Sequence, residues 1–311
     1  MIHLICPNPA VDRTLLVEEL SFDIPNRPFA VKDFPGGKGF NVAYALGQEM
    51  SKESYVVHTI LGGENGERVK RLAKEAEVPI KAISISDNTR ECHIIVDTMK
   101  EQIVPIYENG FNLDDVILEE FTKQLVNSIK SDDIVVFSGS LMKGMPDNYI
   151  TIIKDRVNDD SVKFVVDTSG LALKSVVKEG SPYLIKINDE EYNELFNEDL
   201  KSPYEFMNHM GQHATEIDNF IVTLGGDGIV AKYQNQFYLI ETPNLPAKNP
   251  VASGDFLLAG LVRGIAEDIP FKEGIRRAIA YATDNVTHWY PHIQMDQLAK
   301  WEQEVKIIQQ P

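Results

Sequence analysis

The chain has 311 residues, of which 43% are hydrophobic, enough for a large buried core in one or two domains. Its formal net charge of -17 argues against nucleic acid and anionic membranes as main partners, because both bind concentrated basic surfaces. Cys6 and Cys92 are too few for a disulfide framework, and we interpret both as packing residues. Without a basic leader or a bilayer-spanning apolar run, the sequence predicts a soluble cytoplasmic protein.

Short apolar runs rich in β-branched residues alternate with amphipathic helical stretches along most of the chain. In chain order, the pairs are YVVHTI with ENGERVKRLAKEAE, DIVVF with DNYITIIKDRV, KFVVD with LALKSVVKE, and YLIKI with DEEYNELF, followed by FIVTL. This order predicts an α/β fold with a mostly parallel sheet covered by helices on both faces. Ligands of such sheets bind at the carboxyl ends of the strands.

Two regions break this alternation, at about 12–34 and 90–108. They alternate apolar and polar residues, as half-exposed strands do, and no helix lies between their strands. We expect them to form a small separate β-sheet that covers the site as a lid, within a single domain spanning 1–311. A late hairpin is predicted to turn at Gln234 and Asn235.

The segment FPGGKGFNVAYAL places Gly36, Gly37 and Gly39 around Lys38 just before a predicted helix. It lacks the Gly-Lys-Ser/Thr ending of a Walker A loop. The glycines can form a simple turn, or they can let the backbone approach a ligand to which Lys38 brings a positive charge. Asn41, one helical turn further on, can bind the same ligand.

A second segment, KNPVASGDFLLAGL, places Asp255 at the start of an apolar helix. Asp255 can cap that helix, since aspartate is common at helix N-termini. The small residues Ala252, Ser253 and Gly254 allow another interpretation, because they leave backbone N–H groups within reach of an outside anion such as a phosphate.

Further loops at strand ends offer candidates that are ambiguous when taken singly. Thr223 precedes glycines 225, 226 and 228, which fit either a ligand loop or a hairpin. Lys186 lies in the strand before Asn188 and Glu191, which form either a capping pair or a site for a hydrated divalent cation. Asp12 is expected after a strand, as a ligand-binding or a solvated residue. Arg90 is expected beside the second lid region.

Taken together, these segments resemble the ribokinase/PfkB family of carbohydrate kinases along essentially the whole chain. GGKGFNVA is similar to the family's N-terminal signature and NPVASGD to its C-terminal one, while NPAVDRTL, TRECHIIV, SGSLMKGMP, VVDTSG, LIKINDEE and TLGGDG follow in the family's order. The resemblance implies a ribokinase-like three-layer α/β/α core. It is strongest to the branch that contains 1-phosphofructokinase and tagatose-6-phosphate kinase.

The resemblance also implies roles for individual residues. Asp255 matches the catalytic base, and Ala252, Ser253 and Gly254 match the anion hole for the transferring phosphoryl group. Asn188 and Glu191 match a pair that is expected to organise Mg²⁺ through water. The residues expected to contact ATP are Lys186, Thr223, Gly225, Gly226 and Gly228.

On the acceptor side, the resemblance implies that Asp12, Gly37 and Asn41 bind the sugar hydroxyls. Cations must also meet the phosphate that acceptors of this branch carry, and the candidates are Lys38 and Arg90, followed by Arg27 and Lys143. The implied reaction is ATP-dependent phosphorylation of a ketohexose phosphate to a 1,6-bisphosphate. Fructose 1-phosphate is the first candidate and tagatose 6-phosphate the alternative. A homodimer formed through the lid is expected.

One departure from the family pattern bears on activity. Ala252 stands where the family usually has glycine. An alanine at this position strains the loop if the position needs a positive φ. Two other classes therefore stay open: a kinase of an unphosphorylated sugar, and a non-catalytic sugar-phosphate sensor. A nicotinamide dehydrogenase is disfavoured, since no glycine fingerprint follows the first strand.

Overall fold

The structure, a computed structural model, describes residues 1–310. The strands in chain order are β1 (Ile2–Cys6), β2 (Ala10–Val17), β3 (Ala30–Gly36), β4 (Tyr55–Gly62), β5 (Ile80–Ile85), β6 (Arg90–Asp97), β7 (Gln102–Tyr107), β8 (Ile134–Ser138), β9 (Lys163–Asp167), β10 (Leu184–Asn188), β11 (Asn219–Thr223), β12 (Ile229–Tyr233), β13 (Gln236–Glu241) and β14 (Lys306–Gln310). The helices are α1 (Lys38–Leu46), α2 (Gly63–Glu75), α3 (Asp115–Val126), α4 (Tyr149–Val157), α5 (Gly170–Ser175), α6 (Asp189–Phe196), α7 (Pro203–His213), α8 (Ser253–Ala266), α9 (Phe271–Val286) and α10 (Leu298–Glu304).

Within residues 1–310, the larger sheet has ten strands in the order β14-β13-β12-β11-β10-β9-β8-β1-β4-β5. Pairing is parallel from β5 through β11, and β12, β13 and β14 add antiparallel strands at one edge. β1 lies between β4 and β8. The chain therefore adds strands first on the β4 side of β1 and later on the β8 side. Such a reversal opens a crevice at the carboxyl ends of the strands, where ligands of α/β sheets bind.

Helices cover both faces of this sheet because its buried strands alternate apolar side chains between two cores. Leu4 and Val136 pack on the face covered by α1, α2, α8, α9 and α10. Their neighbours Ile5 and Val135 pack on the opposite face, against α3 to α7. The predicted three-layer α/β/α architecture is therefore confirmed.

The smaller sheet, whose strands within the described residues run in the order β3-β2-β6-β7, is built from the two regions that the alternation pattern predicts. β2 pairs antiparallel with β3 and parallel with β6, which joins the two regions side by side. The first region is longer than expected, running from Ala10 to Gly36. Asp12 consequently lies inside β2, where it pairs with Phe34 and Cys92, so its expected position after a strand is wrong.

The predicted late hairpin is confirmed as β12 and β13. Gln234 and Asn235 form its turn, both with positive φ, which is the geometry of a two-residue hairpin loop. No helix within residues 1–310 is both long enough and apolar enough to cross a bilayer.

Candidate active site

The candidate active site lies where several strands of the larger sheet end and two helices begin. Asp167, Asn188 and Thr223 are the last residues of β9, β10 and β11. Helix α1 begins at Lys38 and helix α8 at Ser253. Because neighbouring parallel strands end at the same edge, residues far apart in the sequence come together here.

Asp255 lies in the first turn of α8 with its side chain buried. Its carboxylate does not cap the helix: the N-cap position is Ala252, and α8 has no side-chain cap hydrogen bond. Instead, the Asn41 side chain, from the first turn of α1, donates through Nδ2 to Oδ2 of Asp255 at 2.8 Å. Of the two interpretations of Asp255, the structure excludes capping and leaves a buried carboxylate that Asn41 holds beside the start of α8.

The pKa of Asp255 is raised to about 6. Burial is the main cause, and the negative charge of Asp167 adds to it, while Lys38, Asn41 and Lys186 oppose the shift. A carboxyl group with a pKa just below neutral can accept a proton and release it again near physiological pH.

Ala252 has a φ of 67° and a ψ of -5°, so it occupies the left-handed region that favours glycine. The loop therefore keeps the backbone shape of a glycine-containing turn, at a strain of about 1–2 kcal/mol for a residue with a Cβ. The turn that follows uses two of its own N–H groups, since Ser253 donates to the carbonyl of Pro250 and Asp255 to that of Ala252. Within residues 1–310, no acceptor takes the N–H of Gly254.

Gly254 is also the point at which Lys186 reaches this turn. A Cβ placed on Gly254 would lie 2.9 Å from the Lys186 ammonium nitrogen. A side chain at position 254 would displace the ammonium group. The free N–H and the adjacent positive charge form a place where an anion can bind at the start of α8.

Asp167 is a site residue to which the sequence analysis assigned no role. It is fully buried, accepts from Lys38 at 2.8 Å through Oδ1, and accepts from Lys186 at 2.7 Å through Oδ2. Although burial raises it, the pKa of Asp167 is held below its usual range by these two lysines. Its only sequence signal is the segment VVDTSG, in which an aspartate ends a buried strand, and a strand-end aspartate has no further local pattern that distinguishes it.

Asn188 and Glu191 form the capping pair that the sequence allowed. The Asn188 side chain accepts from the Glu191 N–H at 2.7 Å, and the Glu191 carboxylate accepts from the Asn188 N–H at 2.9 Å through Oε2. The Glu191 charge nevertheless reaches the site, because it contributes to raising the pKa of Lys38. Among residues 1–310, no group of three or more His, Cys, Asp or Glu residues is arranged to hold a metal ion.

A cavity of about 390 Å³ lies beside the first turn of α8. Thr223, Gly225, Gly226 and Gly228 line it together with Ser253 and Gly254, so the glycine-rich turn and the start of α8 share one cavity. Gly225 and Gly226 face open space, whereas a Cβ on Gly228 would meet the Ile240 carbonyl oxygen at 2.2 Å. Gly228 is therefore required by packing in the hairpin.

Other residues that line this cavity were not found from the sequence. They come from the loop before α8 and from one face of α9, and include Thr242, Asn244, Leu245, Ala247, Ile279, Thr283 and Val286. Neither segment carries a local motif, because none of these residues is charged.

The opposite side of the cleft is formed by the beginning of the smaller sheet. A Cβ on Gly36 would overlap the Asp12 carboxylate, and a Cβ on Gly37, whose φ is 105°, would lie 2.8 Å from the sulfur of Cys6. Glycine is therefore needed at both positions to admit Asp12 and the turn into α1. Burial raises the pKa of Asp12 to about 6, while Arg90 and the Gly37 N–H lower it.

The four cations predicted for the acceptor phosphate lie in different environments. Lys38 is bound to Asp167. The Arg90 guanidinium donates to the carbonyls of Asn8 and Glu108 at 3.2 Å and of Pro9 at 3.4 Å. Arg27 and Lys143 are exposed, and their side chains make no hydrogen bond or ion pair with residues 1–310. The structure thus brings Lys38 to Asp167, close to Asp255, and Arg90 near Asp12, and it does not unite all four.

A buried carboxylate next to paired lysines, at a helix N-terminus that borders a cavity, can stabilise negative charge on a phosphoryl group. The family model described as pfkB family carbohydrate kinase matches residues 7–294. The chain therefore belongs to the pfkB family of carbohydrate kinases, which confirms the resemblance inferred from the sequence.

Individual relatives agree with this assignment. A tagatose-6-phosphate kinase of Staphylococcus epidermidis is 28% identical over 313 residues, covering 99% of this chain and 100% of the relative. Phosphofructokinase-2 from Escherichia coli, in complex with substrates and products, superposes with a TM-score of 0.89 at 23% identity, covering 97% of this chain and 98% of that chain. A Thermotoga maritima structure described as "Possible 1-phosphofructokinase" gives a TM-score of 0.88 at 19% identity over 100% of both chains. At these identities the two structures support the fold.

Proposed function

We propose that this protein uses ATP to phosphorylate a ketohexose phosphate, forming a 1,6-bisphosphate. The observation that carries the proposal is the contact between Asn41 and Asp255, which presents a carboxylate beside the free Gly254 N–H and the Lys186 ammonium group. A base and an anion site side by side suit transfer to a hydroxyl group.

In the proposed reaction, Asp255 takes the proton of the acceptor hydroxyl. The hydroxyl oxygen forms a bond to the γ-phosphorus of ATP, the bond between that phosphorus and the β–γ bridging oxygen breaks, and ADP leaves. Phosphoryl transfer passes through a loose transition state, so positioning and charge stabilisation are the protein's main contributions. The Gly254 N–H and Lys186 meet the negative charge of the transferring group.

The nucleotide is assigned to the cavity of about 390 Å³, whose volume suits a small-molecule ligand. Gly225 and Gly226 leave open space there for close approach of a phosphate or ribose. Asn188 and Glu191 are the residues proposed to organise Mg²⁺. The capping bond uses Oε2 of Glu191 and leaves Oε1 available, which fits a cation that keeps most of its waters and binds few carboxylates. Mg²⁺ would neutralise charge on the ATP phosphates.

For the acceptor, Asp12 and Asn41 are proposed to bind sugar hydroxyls. Arg90 is proposed to meet the existing phosphate, because its guanidinium has five N–H donors and three are used by carbonyls. Relatives named tagatose-6-phosphate kinase, at 28% identity, favour tagatose 6-phosphate, while the NPAVDRTL segment favours fructose 1-phosphate. Both acceptors give a 1,6-bisphosphate.

The smaller sheet is proposed to close over the acceptor and exclude water. It also offers a surface for a second copy of this chain, because large apolar side chains in and beside it are exposed, among them Phe22, Ile24, Phe29 and Ile106. A homodimer through this sheet is therefore proposed. Sedimentation equilibrium that finds a monomer at micromolar concentration would contradict it.

The function is tested by coupled ADP release with MgATP against tagatose 6-phosphate, fructose 1-phosphate, fructose 6-phosphate and fructose, using Asp255→Asn as control. The proposal is supported if kcat/KM is at least tenfold higher for one ketose phosphate than for the other acceptors and if this activity is lost in Asp255→Asn. Preference for unphosphorylated fructose would indicate a sugar kinase instead. Absence of turnover with all four, together with binding of a sugar phosphate, would indicate a sensor.

A further inference from the structure

The sequence resemblance suggests that Lys38 binds the phosphate that the acceptor already carries. The residues around Lys38 indicate a different role. Its ammonium nitrogen lies 2.8 Å from Oδ1 of Asp167, whose Oδ2 binds Lys186 at 2.7 Å. One buried carboxylate therefore holds two ammonium groups side by side. Of the two, Lys186 is buried and Lys38 is 40% exposed, so the Lys38 charge is presented to the cleft.

The other charges near Lys38 also belong to the transfer centre. Although burial lowers it, the pKa of Lys38 is raised above its usual range by the carboxylates of Asp167, Asp255 and Glu191. Asp255 is the proposed base and Glu191 the proposed Mg²⁺ organiser. Both act where the γ-phosphoryl group moves.

The backbone around Lys38 fixes the direction of its side chain. Gly139, just after β8, packs on its methylene stem, since a Cβ there would lie 3.7 Å from Cβ, Cγ and Cδ of Lys38. The same glycine donates its N–H to the Asp167 carbonyl at 2.8 Å and accepts from the Thr168 hydroxyl at 2.9 Å. The loop after β8 thus holds both partners of the ion pair.

A ketohexose phosphate carries its phosphate and its reacting hydroxyl at opposite ends. Asp255 must contact the reacting hydroxyl in the proposed reaction. Lys38 shares the Asp167 carboxylate with Lys186, whose ammonium group borders Gly254, the residue before Asp255, so Lys38 lies at the reacting end. We infer that Lys38, held by Asp167 beside Lys186, stabilises the transferring phosphoryl group and does not bind the acceptor's own phosphate. This inference rests on the proposed kinase function. Lys38 is then a catalytic residue, and Asp167 is a positioning residue that acts through it.

The inference makes a kinetic prediction that separates the two roles. In Lys38→Gln, kcat should fall about 10²–10³-fold, as for loss of a charge-stabilising donor, while the KM of the ketose phosphate changes less than about threefold. In Asp167→Asn, kcat should fall by a similar factor. In the double variant, kcat should be little lower than in the Asp167 variant alone, because the two residues act together. Lys123→Gln, an exposed lysine of α3 paired with Glu119, is the matched control.

Loss of the Lys38 charge should also shift the pH profile. Lys38 is the largest influence that opposes the raised pKa of Asp255. In Lys38→Gln the acid limb of kcat/KM should therefore move to higher pH by about one unit or more. A purely structural role would leave this limb in place. If the KM of the ketose phosphate rises more than tenfold while kcat and the acid limb are unchanged, Lys38 binds the acceptor phosphate and the inference is wrong.

A binding measurement keeps this test separate from the test of the kinase function. Calorimetry compares MgADP with MgADP plus aluminium fluoride, a planar mimic of the transferring group, in the wild type and in Lys38→Gln. The variant should lose about 10²-fold in affinity for the fluoride complex and less than about threefold for MgADP. Equal effects on both ligands overturn the inference even if the kinase is active. Selective loss supports it even if none of the tested sugars is phosphorylated, and failure of the wild type to bind either ligand overturns both proposals.

Discussion

Asn41 and Asp255 are 214 positions apart in the chain, and a hydrogen bond of 2.8 Å joins their side chains in the cleft. One residue lies in the first turn of α1 and the other in the first turn of α8. The bond orients the Asp255 carboxylate and uses only one of its oxygens. The two helix N-termini therefore meet at a single buried carboxylate, the proposed base.

The first prediction concerns opposite effects of Asp255→Asn on activity and stability. Removing the base should lower kcat about 10²–10⁴-fold. The same change should stabilise the fold at pH 7.5 by up to about 3 kcal/mol, because a pKa raised from 3.8 to about 6 means that the buried charge opposes folding. Urea denaturation and the coupled assay measure the two effects. A variant that is both inactive and less stable would contradict this description of Asp255.

The second prediction concerns the pH dependence of kcat/KM. Asp255 and Asp12 both have pKa values raised to about 6 and both must be ionised to act, so activity should rise through about pH 6 and level off above it. Below pH 6 the logarithm of kcat/KM should fall with a slope approaching two. In Asp12→Asn the slope should become one, with a lower plateau. A wild-type acid limb centred near pH 4 would show that burial does not raise these pKa values.

The third prediction concerns the strain at Ala252, whose φ is 67°. Ala252→Gly should raise the free energy of unfolding by up to about 1 kcal/mol, because relief of left-handed strain exceeds the added entropy of the unfolded chain. Ala266→Gly, at the exposed end of α8, is the control and should lose up to about 1 kcal/mol. Since the backbone already has the turn geometry, kcat should change less than about threefold. A rise of tenfold or more would show that alanine impairs the anion site.

The fourth prediction compares two glycines that line the cavity proposed to bind the nucleotide. A Cβ at Gly254 meets the Lys186 ammonium group at 2.9 Å, whereas a Cβ at Gly226 meets no atom within 4 Å. Gly254→Ala should therefore displace Lys186 and lower kcat about tenfold or more, since one misplaced charge at the transferring group is costly. Gly226→Ala should leave kcat nearly unchanged and affect only the KM of ATP. Equal effects of the two changes on kcat would contradict the prediction that Gly254 acts through Lys186 and that Gly226 only lines the cavity.

The fifth prediction concerns a buried histidine pair on the neighbouring strands β1 and β4. His3 contacts His58 at 3.0 Å and Asp133 at 2.9 Å, and the N-terminal amine also binds Asp133. Burial, the neighbouring His3 and Lys81 lower the pKa of His58 from 6.5 to about 3. A histidine with a lowered folded pKa stabilises the protein above pH 6.5, and this stabilisation is lost as the pH falls.

Between pH 7.5 and pH 5.0, this histidine should cost the wild type about 2 kcal/mol of stability. Asp255 and Asp12 act in the opposite sense, so the comparison is made against His58→Gln under the same conditions. The wild type should lose about 2 kcal/mol more than the variant over this range by chemical denaturation. Parallel pH curves for the two proteins would show that His58 does not remain neutral in the fold.

Much of the site was accessible from local sequence patterns. GGKGFNVA and ASGD each contain glycines or small residues just before a helix, and the structure places Lys38, Asn41, Gly254 and Asp255 together in the cleft. Asn188 and Glu191 were left between capping and metal binding, and the structure shows the capping bonds. Asp167 received no role because a single aspartate at a strand end has no distinguishing local pattern.

The sequence by itself determined the class of fold, because apolar runs of strand length alternating with amphipathic helices can bury their faces only in layered α/β form. It also determined that two regions without helices make a separate small sheet. Only the tertiary structure decided which charges meet. Lys38 lies 129 positions from Asp167, and Lys186 lies 19 positions from it, yet both bind its carboxylate because β9, β10 and α1 converge at one edge of the sheet. Ion pairs of this kind depend on distances between strands and helices, and no local pattern along the chain encodes them.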